Sequence, residues 1–420
     1  MEARKTYLLI TFCTALFFST WSMYTGVYRV AAGLSPLQLV LLGTVLEASV
    51  FFAEVPTGIV ADTYSRKLSI IIGVFVIGLG FILEGLLPWV VTIFAAQALW
   101  GVGHTFTSGA QDAWLAGEIG ASSLGSTLLK GSQFGRVGSL LGMGVAVAIG
   151  LLTNIRFSLI TGGAGMLVLA LSLIWLMPET GFAPTDSEDR DSWRQMRFTF
   201  QQGLDVVRNN RILTLMFVAT LITGLSSEGL DRFWEAHLLT NFTFPALMAD
   251  TGQTTIADLT GGSVTDFGPN ITIWFFIINL SASLLSLLIT EIVRRRVDVD
   301  NDPAALRYLI IANGIIICGV LLFGLANGIA TAIAAWLVLG SFRGTIYPFV
   351  SALLNRQIRQ EVRATVLSMW GQADAVGQMF SGPLMGIIAT VGSFRIAFVA
   401  VAVLLAPIFL IYRRVLRTIS

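Results

Sequence analysis

Carboxylates stand inside long apolar stretches of this sequence, where an ionisable side chain is costly. Glu47 and Glu54 lie seven residues apart in the stretch 36–61, so a helix places both on one face. Asp374 stands in another apolar stretch. A charge at membrane depth costs roughly 2.5 to 3.5 kcal/mol on insertion scales, so it normally faces a partner or a water-filled cavity. Such acids could carry protons, sense a cationic substrate or form permanent buried ion pairs, and all three interpretations stay open.

Two arginines share this setting. Arg136 and Arg343 also lie within apolar stretches. At 1.5 Å per helical residue, Glu54 lies about 12 Å along its helix from Asp62. The same rise places Asp374 about 16 Å along its helix from Arg363. We therefore expect a polar core whose acids and bases lie at overlapping depths and can exchange partners.

A second polar cluster lies in the segment SSEGLDRFWEAH. It contains Glu228, Asp231, Arg232, Glu235 and His237, near the outer end of its stretch. We expect a solvated outer gate here, with Glu84 on the same rim, because charges close to water are cheap to keep. His104 and Gln97 could line a cavity, although a lone histidine is more often a packing residue. Several aromatic side chains could stack on a flat ligand, namely Trp21, Trp100, Phe106, Trp114, Trp370 and Phe380.

No motif of an enzyme is found in the sequence. The chain has two histidines and two cysteines, and it contains neither an HExxH motif nor a GxxxxGK[ST] loop. Cys13 and Cys318 both fall within apolar stretches, which favours packing over a disulfide or a metal pair. A net charge of +1 argues against nucleic acid as a partner. We expect no catalytic residues, cofactor or metal, and an ion gradient rather than ATP as the energy source.

The elements that must position these residues are membrane spans. Hydrophobic residues make up 55% of the 420 residues and charged residues only 12%, against about 25% in soluble domains. Stretches of about 20 apolar residues, long enough to cross a bilayer as helices, recur along the chain. We predict an all-α integral membrane protein with twelve transmembrane helices. The predicted spans are 7–30, 36–61, 68–85, 89–113, 128–151, 156–177, 212–236, 271–293, 306–327, 329–352, 364–388 and 392–413.

The longest charged stretch separates six spans from six. We therefore predict an N-terminal bundle at 1–177, a linker at 178–211 and a C-terminal bundle at 212–420. Within the linker, apolar residues at helical spacing predict an amphipathic helix at the membrane interface: Trp193, Met196, Phe200, Leu204 and Val207. Most Lys and Arg residues fall on one side, which predicts a multi-pass protein of the cell membrane with both termini in the cytoplasm.

The two halves resemble each other. A shift of 239 residues aligns Gly101 with Gly340 and His104 with Arg343. The same shift aligns Val137-Gly138 with Val376-Gly377. One shift that serves two pairs of spans predicts a six-plus-six repeat, a plan in which the substrate path lies between the halves.

The segment between spans two and three resembles the signature loop of the major facilitator superfamily. Gly58-Ile-Val-Ala-Asp62-Thr-Tyr-Ser-Arg66-Lys67 follows the pattern G-x-x-x-D-x-x-x-R-K, and Met-Pro-Glu-Thr closes span six. The form with Glu54-x-Pro56 is similar to that of clostridial-type tetracycline-efflux proteins. The resemblance implies a major facilitator fold and a cytoplasmic gate in which Gly58 allows close packing and Pro56 bends span two. The gate residues are Gly58, Asp62, Arg66, Lys67, Asp112 and Arg363.

The resemblance implies that Glu47 and Glu54 match the membrane carboxylates of that family. Gln97 stands where many drug antiporters have arginine, and GRVGSLLGMG in span five lacks the proline of the antiporter motif. We predict a monomeric, proton-coupled efflux antiporter for a small amphipathic compound. Its coupling residues would be Glu47, Glu54, Asp374, Arg136 and Arg343. Uptake or lipid transport is the first alternative, and a receptor or scaffold without transport is the second.

Overall fold

The structure is a computed structural model that describes residues 1–182, 201, 203–247, 268–358 and 362–419, apart from the side chains at 55, 121, 122 and 364. The first eight helices are α1 (Ala3–Ser22), α2 (Thr25–Ala31), α3 (Pro36–Thr63), α4 (Arg66–Leu86), α5 (Val90–Thr107), α6 (Ala110–Ile119), α7 (Ala121–Leu152) and α8 (Ile155–Leu176). After these come α9 (Arg211–Asn241), α10 (Pro269–Arg296), α11 (Asp302–Leu325), α12 (Ile329–Gln357), α13 (Arg363–Val391) and α14 (Phe394–Ile419).

Each predicted span corresponds to a helix or a pair of helices. Ten segments are long and apolar enough to cross a membrane. The other two predicted spans correspond to α5, which contains Gln97 and His104, and to α13, which contains Arg363 and Asp374. The polar residues of these two helices lower their mean hydropathy. The prediction of an all-α membrane fold is confirmed.

Two predicted spans are interrupted by breaks in the structure. The first is interrupted by a turn at residues 23–24, so α2 begins a new helix at Thr25. The fourth ends at Thr107 rather than at residue 113, because Gly109 adopts φ +69° and separates α5 from α6. Apolar composition continues through both breaks, which is why hydropathy did not reveal them.

Side-chain caps fix the start of several helices. The Ser65 hydroxyl accepts a hydrogen bond from the Leu68 amide at the start of α4. Asn154, Asn210 and Asn301 cap α8, α9 and α11 in the same way. Each cap satisfies a backbone N–H that has no partner within its helix.

The chain divides into two compact units by backbone contacts. Unit 1 comprises Met1–Leu34, Val45–Asp186 and Thr243–Ile277, and unit 2 comprises Ser35–Thr44, Ser187–Phe242 and Ile278–Ser420. The first turns of α3 therefore belong to unit 2, and the first turns of α10 belong to unit 1. Most residues of the predicted amphipathic linker helix lie outside the described residues. The predicted boundaries at 177 and 211 stay predictions.

Glycines allow equivalent helices to approach closely in each unit. In unit 1, Gly138 on α7 packs against the backbone of Phe12 on α1. In unit 2, Gly377 on α13 packs against the Leu221 carbonyl on α9, where an added Cβ would lie 2.5 Å from the oxygen. Gly138 and Gly377 are one of the pairs that the shift of 239 residues aligns, so these contacts are what an internal repeat predicts.

Candidate functional site

A cavity of about 320 Å³ lies within unit 2, between α9, α12, α13 and α14. Two ionisable residues of the predicted polar core, Arg343 and Asp374, line it together. Its other polar and aromatic lining residues include Thr220, Thr223, Tyr347, Trp370 and Tyr412. We call this cavity the Asp374 pocket.

An ion pair holds the Arg343 side chain at the pocket. Both terminal nitrogens of Arg343 donate to the Asp231 carboxylate, and the distance from Nη2 to Oδ2 is 2.8 Å. The two side chains are 32% and 46% exposed, so surrounding protein does not fully enclose this pair. A two-pronged contact of this kind fixes the guanidinium plane. Asp231 was predicted to lie in a separate outer gate, but the structure joins it to the Arg343 side chain.

Asp374 is half-buried on α13. Its Oδ2 atom accepts a hydrogen bond of 2.8 Å from the Gln378 amide, which carries no charge. None of the described cations forms an ion pair with Asp374, because Arg343 is engaged with Asp231. Asp374 is therefore the carboxylate of this pocket that can accept a proton or a cation.

The predicted solvated gate is wrong for Glu228. Its side chain is only 4% exposed and pairs with Arg232 one turn further along α9, at 3.3 Å from Nε to Oε2. The first turns of α3 cover it, because Gly43 lies directly against its carboxylate. Glu235 and His237 are buried as well, at 8% and 0% exposure. Apolar packing around α9 therefore encloses groups that the sequence placed near water.

An aromatic wall closes one side of the pocket. The Trp370 indole N–H donates to the Thr220 hydroxyl at 2.5 Å, which fixes the ring. Tyr347 stacks on that ring, with centroids 5.3 Å apart and an interplanar angle of 25°. Because Tyr347 is 66% exposed and Trp370 only 9%, the tyrosine presents the accessible aromatic surface.

Unit 1 contains a different ion pair. Glu84 was predicted on a solvated rim, and that prediction is wrong. The Arg29 and Glu84 side chains are 5% and 0% exposed and lie 2.7 Å apart, from Nε to Oε1. Arg29 also lies over the Trp21 ring, 5.7 Å from its centroid. This is a buried pair between α2 and α4, and sequence reasoning missed it because the partners are 55 residues apart.

The predicted acids of span two lie in unit 1. Glu47 is half-buried and Glu54 is exposed, both on α3. Arg136 is exposed on α7 and makes no hydrogen bond with any described residue. Their coupling roles stay predictions. Gln97 is fully buried, and its amide finds no hydrogen-bond partner in the described part of the chain.

The signature loop is anchored by the segment after α8. The Glu179 carboxylate accepts from the Ser65 hydroxyl at 2.6 Å and from the Lys67 backbone N–H at 2.8 Å. Arg66 donates to the Ala113 carbonyl, and the Lys67 ammonium donates to the Ile174 carbonyl. These contacts tie α4 to α6 and α8 within unit 1. The Met-Pro-Glu-Thr motif was the signal for Glu179, although sequence reasoning gave this residue no partner.

Glu118 secures the same segment from α6, outside the membrane spans. Its carboxylate accepts hydrogen bonds from the backbone N–H groups of Thr180 and Gly181 and from the Thr180 hydroxyl. Partial burial raises the pKa of Glu118, but these three hydrogen bonds outweigh that effect, so the pKa lies below its usual value. Sequence reasoning missed this residue.

The remaining gate residues lie at the surface. Asp62 and Asp112 are exposed in unit 1, and Arg363 is exposed at the start of α13 in unit 2. A Cβ on Gly58 would meet nothing within 4 Å, so the close packing expected at this glycine is not observed. The proposed gate itself stays a prediction. No group of three or more metal-ligating side chains that could hold an ion occurs among the described residues.

Known proteins share this architecture. No protein-family model matches the chain. An uncharacterised major-facilitator-type transporter of Bacillus subtilis (strain 168), YxaM, is 23% identical over 390 residues, which is 91% of this chain and 88% of the relative. The crystal structure of the nucleoside transporter NupG matches with a TM-score of 0.72 at 15% identity, over 99% of each chain.

Transporters of other kinds match as well. An inward-facing, occupied structure of a bacterial homologue of the human lysosomal transporter Spinster gives a TM-score of 0.69 at 14% identity, over 99% of this chain and 96% of that one. The chain therefore has the fold of the major facilitator transporters. The fold and the YxaM relative together support a membrane transporter of major-facilitator type.

Proposed function

We propose that this protein is a secondary active transporter that exports a small amphipathic compound in exchange for protons. The Asp374 pocket is the observation that carries the proposal. It combines a carboxylate, an arginine that is paired with Asp231 and an aromatic wall in one cavity on membrane-spanning helices. Transporters need such a polar site inside the membrane because a charge that serves no purpose there is costly.

Asp374 is the proposed proton carrier. When Asp374 is ionised, the pocket and its neighbouring pairs hold three carboxylates, Glu228, Asp231 and Asp374, against the two guanidinium groups of Arg232 and Arg343. A proton on Asp374 removes the excess negative charge, so protonation changes the balance of interactions between α12 and α13. A membrane potential contributes roughly 2.3 kcal/mol per charge per 100 mV to proton entry.

Glu47 and Glu54 remain further candidates for coupling. Both lie on α3. The signature-loop residues Asp62, Arg66 and Lys67, with Gly58, Asp112 and Arg363, would form the cytoplasmic gate. Arg136 would contribute to the polar core, and Arg232 to an outer gate.

Transport in the other direction is the alternative function. NupG is a nucleoside transporter, and other structural neighbours with 12% identity are transporters of the POT family. Uptake of a metabolite would use the same pocket, with proton and compound moving in the same direction.

The test begins with a drug-sensitive bacterial host that expresses the chain and is exposed to a panel of toxic compounds, tetracyclines included. Export of any protective compound is then followed in everted membrane vesicles. We expect export to stop when a proton uncoupler is added and to be lost in Asp374→Asn, with Gly314→Ala as the matched control. Export that continues at full rate with the uncoupler would overturn the proposal.

A further inference from the structure

We infer that the Asp374 pocket binds a small aromatic amine, with its ammonium group at Asp374 and its flat ring against Tyr347. This inference rests on the proposed function, because it names the substrate class of the same pocket. It depends on three features of the pocket: its charge, its aromatic surface and its size.

The charge of the pocket favours a cation. Arg343 is held by both oxygens of Asp231, and Arg232 is held by Glu228, so neither guanidinium is available to Asp374. The hydrogen bond that Asp374 accepts from Gln378 leaves its negative charge in place. An ammonium group on the ligand would neutralise that charge, whereas a carboxylate would add a fourth negative group.

The aromatic surface favours a flat, positively charged ligand. Trp370 is fixed by its hydrogen bond to Thr220 and supports Tyr347 from behind. The tyrosine ring is therefore ordered before a ligand arrives, which lowers the entropy cost of binding. An aromatic face also attracts a nearby cation.

The size of the pocket favours one or two rings. Its volume of about 320 Å³ lies near the lower end of the usual range for ligand sites, roughly 300 to 1,000 Å³. Gly371 forms part of the wall on α13, one turn before Asp374. A Cβ at Gly371 would meet nothing within 4 Å, so a larger side chain can enter the cavity without disturbing the helix packing.

The first test is a series of ligands that share one ring and differ in charge. Binding of tryptamine, neutral ethylindole and indolepropionate to the detergent-purified full chain is measured by isothermal titration calorimetry. We expect tryptamine to bind at least about tenfold more tightly than ethylindole, and indolepropionate not to bind. Equal affinity for the three indoles would overturn the inference.

A second pair of ligands tests the ring. Phenethylamine and cyclohexylethylamine carry the same ammonium group, but only the first has an aromatic face. We expect the aromatic amine to bind about two- to fivefold more tightly, because only its ring can form an aromatic pair with Tyr347. Tyr347→Leu should remove this difference, and a difference that persists in Tyr347→Leu would contradict contact with that ring.

Two glycine variants test the location. Gly371→Leu fills the pocket and should abolish tryptamine binding, whereas Gly314→Leu is the control, since a Cβ at Gly314 on α11 also meets nothing within 4 Å. Wild-type affinity in Gly371→Leu would place the amine elsewhere. Size-exclusion profiles show whether each variant is folded. If a variant is misfolded, the ligand series on the unaltered chain still tests the preference for a positively charged ligand.

This binding assay is separate from the transport assay. It uses no membrane and no gradient, so it does not depend on proton coupling. Amine binding without proton-coupled export would reject the proposed function and leave the inference standing. Proton-coupled export of another compound, without amine binding, would reject the inference alone.

Discussion

The two units each contain an ion pair of arginine with a carboxylate, and the two pairs differ in their exposure. Arg29 and Glu84 in unit 1 are 5% and 0% exposed. Arg343 and Asp231 in unit 2 are 32% and 46% exposed, and Asp374 lines the same cavity as Arg343. Arginine and carboxylate side chains can therefore fix helix packing in one unit and remain open to a ligand in the other.

The surroundings of the pairs explain this difference. Trp21 stacks on Phe81 in unit 1, with centroids 3.9 Å apart, and Arg29 lies over the same Trp21 ring. These apolar groups exclude solvent and hold the pair in one arrangement. In unit 2 the open wall at Gly371 and the exposed ring of Tyr347 leave room for a ligand beside Asp374. Accessibility, rather than charge alone, separates a structural pair from a candidate transport site.

The largest expected effect is on stability in unit 1. Glu84→Gln leaves the Arg29 charge buried without its counter-charge, and breaking such a pair costs about 3 to 5 kcal/mol. The matched variant in unit 2, Asp231→Asn, should cost less, because that pair is more exposed. Thermal unfolding of the purified variants, followed by tryptophan fluorescence, measures both. Equal losses in the two variants would remove the distinction between the pairs.

A smaller effect is expected at the segment after α8. Glu179→Gln weakens the charged hydrogen bonds to the Ser65 hydroxyl and the Lys67 N–H and should destabilise unit 1 by about 1 to 2 kcal/mol. The same unfolding assay measures this loss. The control is Glu2→Gln, since Glu2 forms only an exposed pair with Lys5. A loss in the control as large as that in Glu179→Gln would contradict the anchoring role.

The smallest effect concerns acid stability. Because the pKa of Glu118 is lower in the folded protein, this group contributes stability above its unfolded pKa of about 4.3. That contribution disappears as the pH falls through the lower folded pKa. Glu118→Gln should therefore lose less than about 1 kcal/mol at neutral pH, since the site is partly solvated. The difference from wild type should shrink below about pH 4, and a difference that grows there would contradict the assignment.

Much of the fold follows from composition. Runs of apolar residues predicted the long helices, ten of which in the described part of the chain can cross a membrane, because crossing requires a helix of sufficient length. The break at residues 23–24 and the early end of α5 at Thr107 were missed, because hydropathy averages over single residues. Helix ends depend on caps and on backbone conformations such as that of Gly109, which a window of hydropathy does not register.

The candidate site was only partly predictable. The cost of a charge among apolar residues indicated Arg343 and Asp374 correctly as polar positions on spans, and the structure places them in one cavity. Sequence alone could not pair Arg343 with Asp231 or Arg29 with Glu84, since tertiary packing sets these contacts. Sequence reasoning also placed Glu228 near water, because it judged exposure from the position of this residue toward one end of a span. That position does not reveal the Gly43 backbone that covers the Glu228 side chain.

The difference between the two pairs is tested most directly by comparing proton coupling in two variants. Arg29→Met with Glu84→Leu replaces the buried pair by apolar groups, which a structural role should tolerate. Asp374→Asn removes the proposed proton carrier. Both are reconstituted in liposomes, and proton flux driven by the exported compound is followed with a pH-sensitive dye. We predict that the double variant retains this flux and that Asp374→Asn loses it. Loss in the double variant with retention in Asp374→Asn would contradict the account.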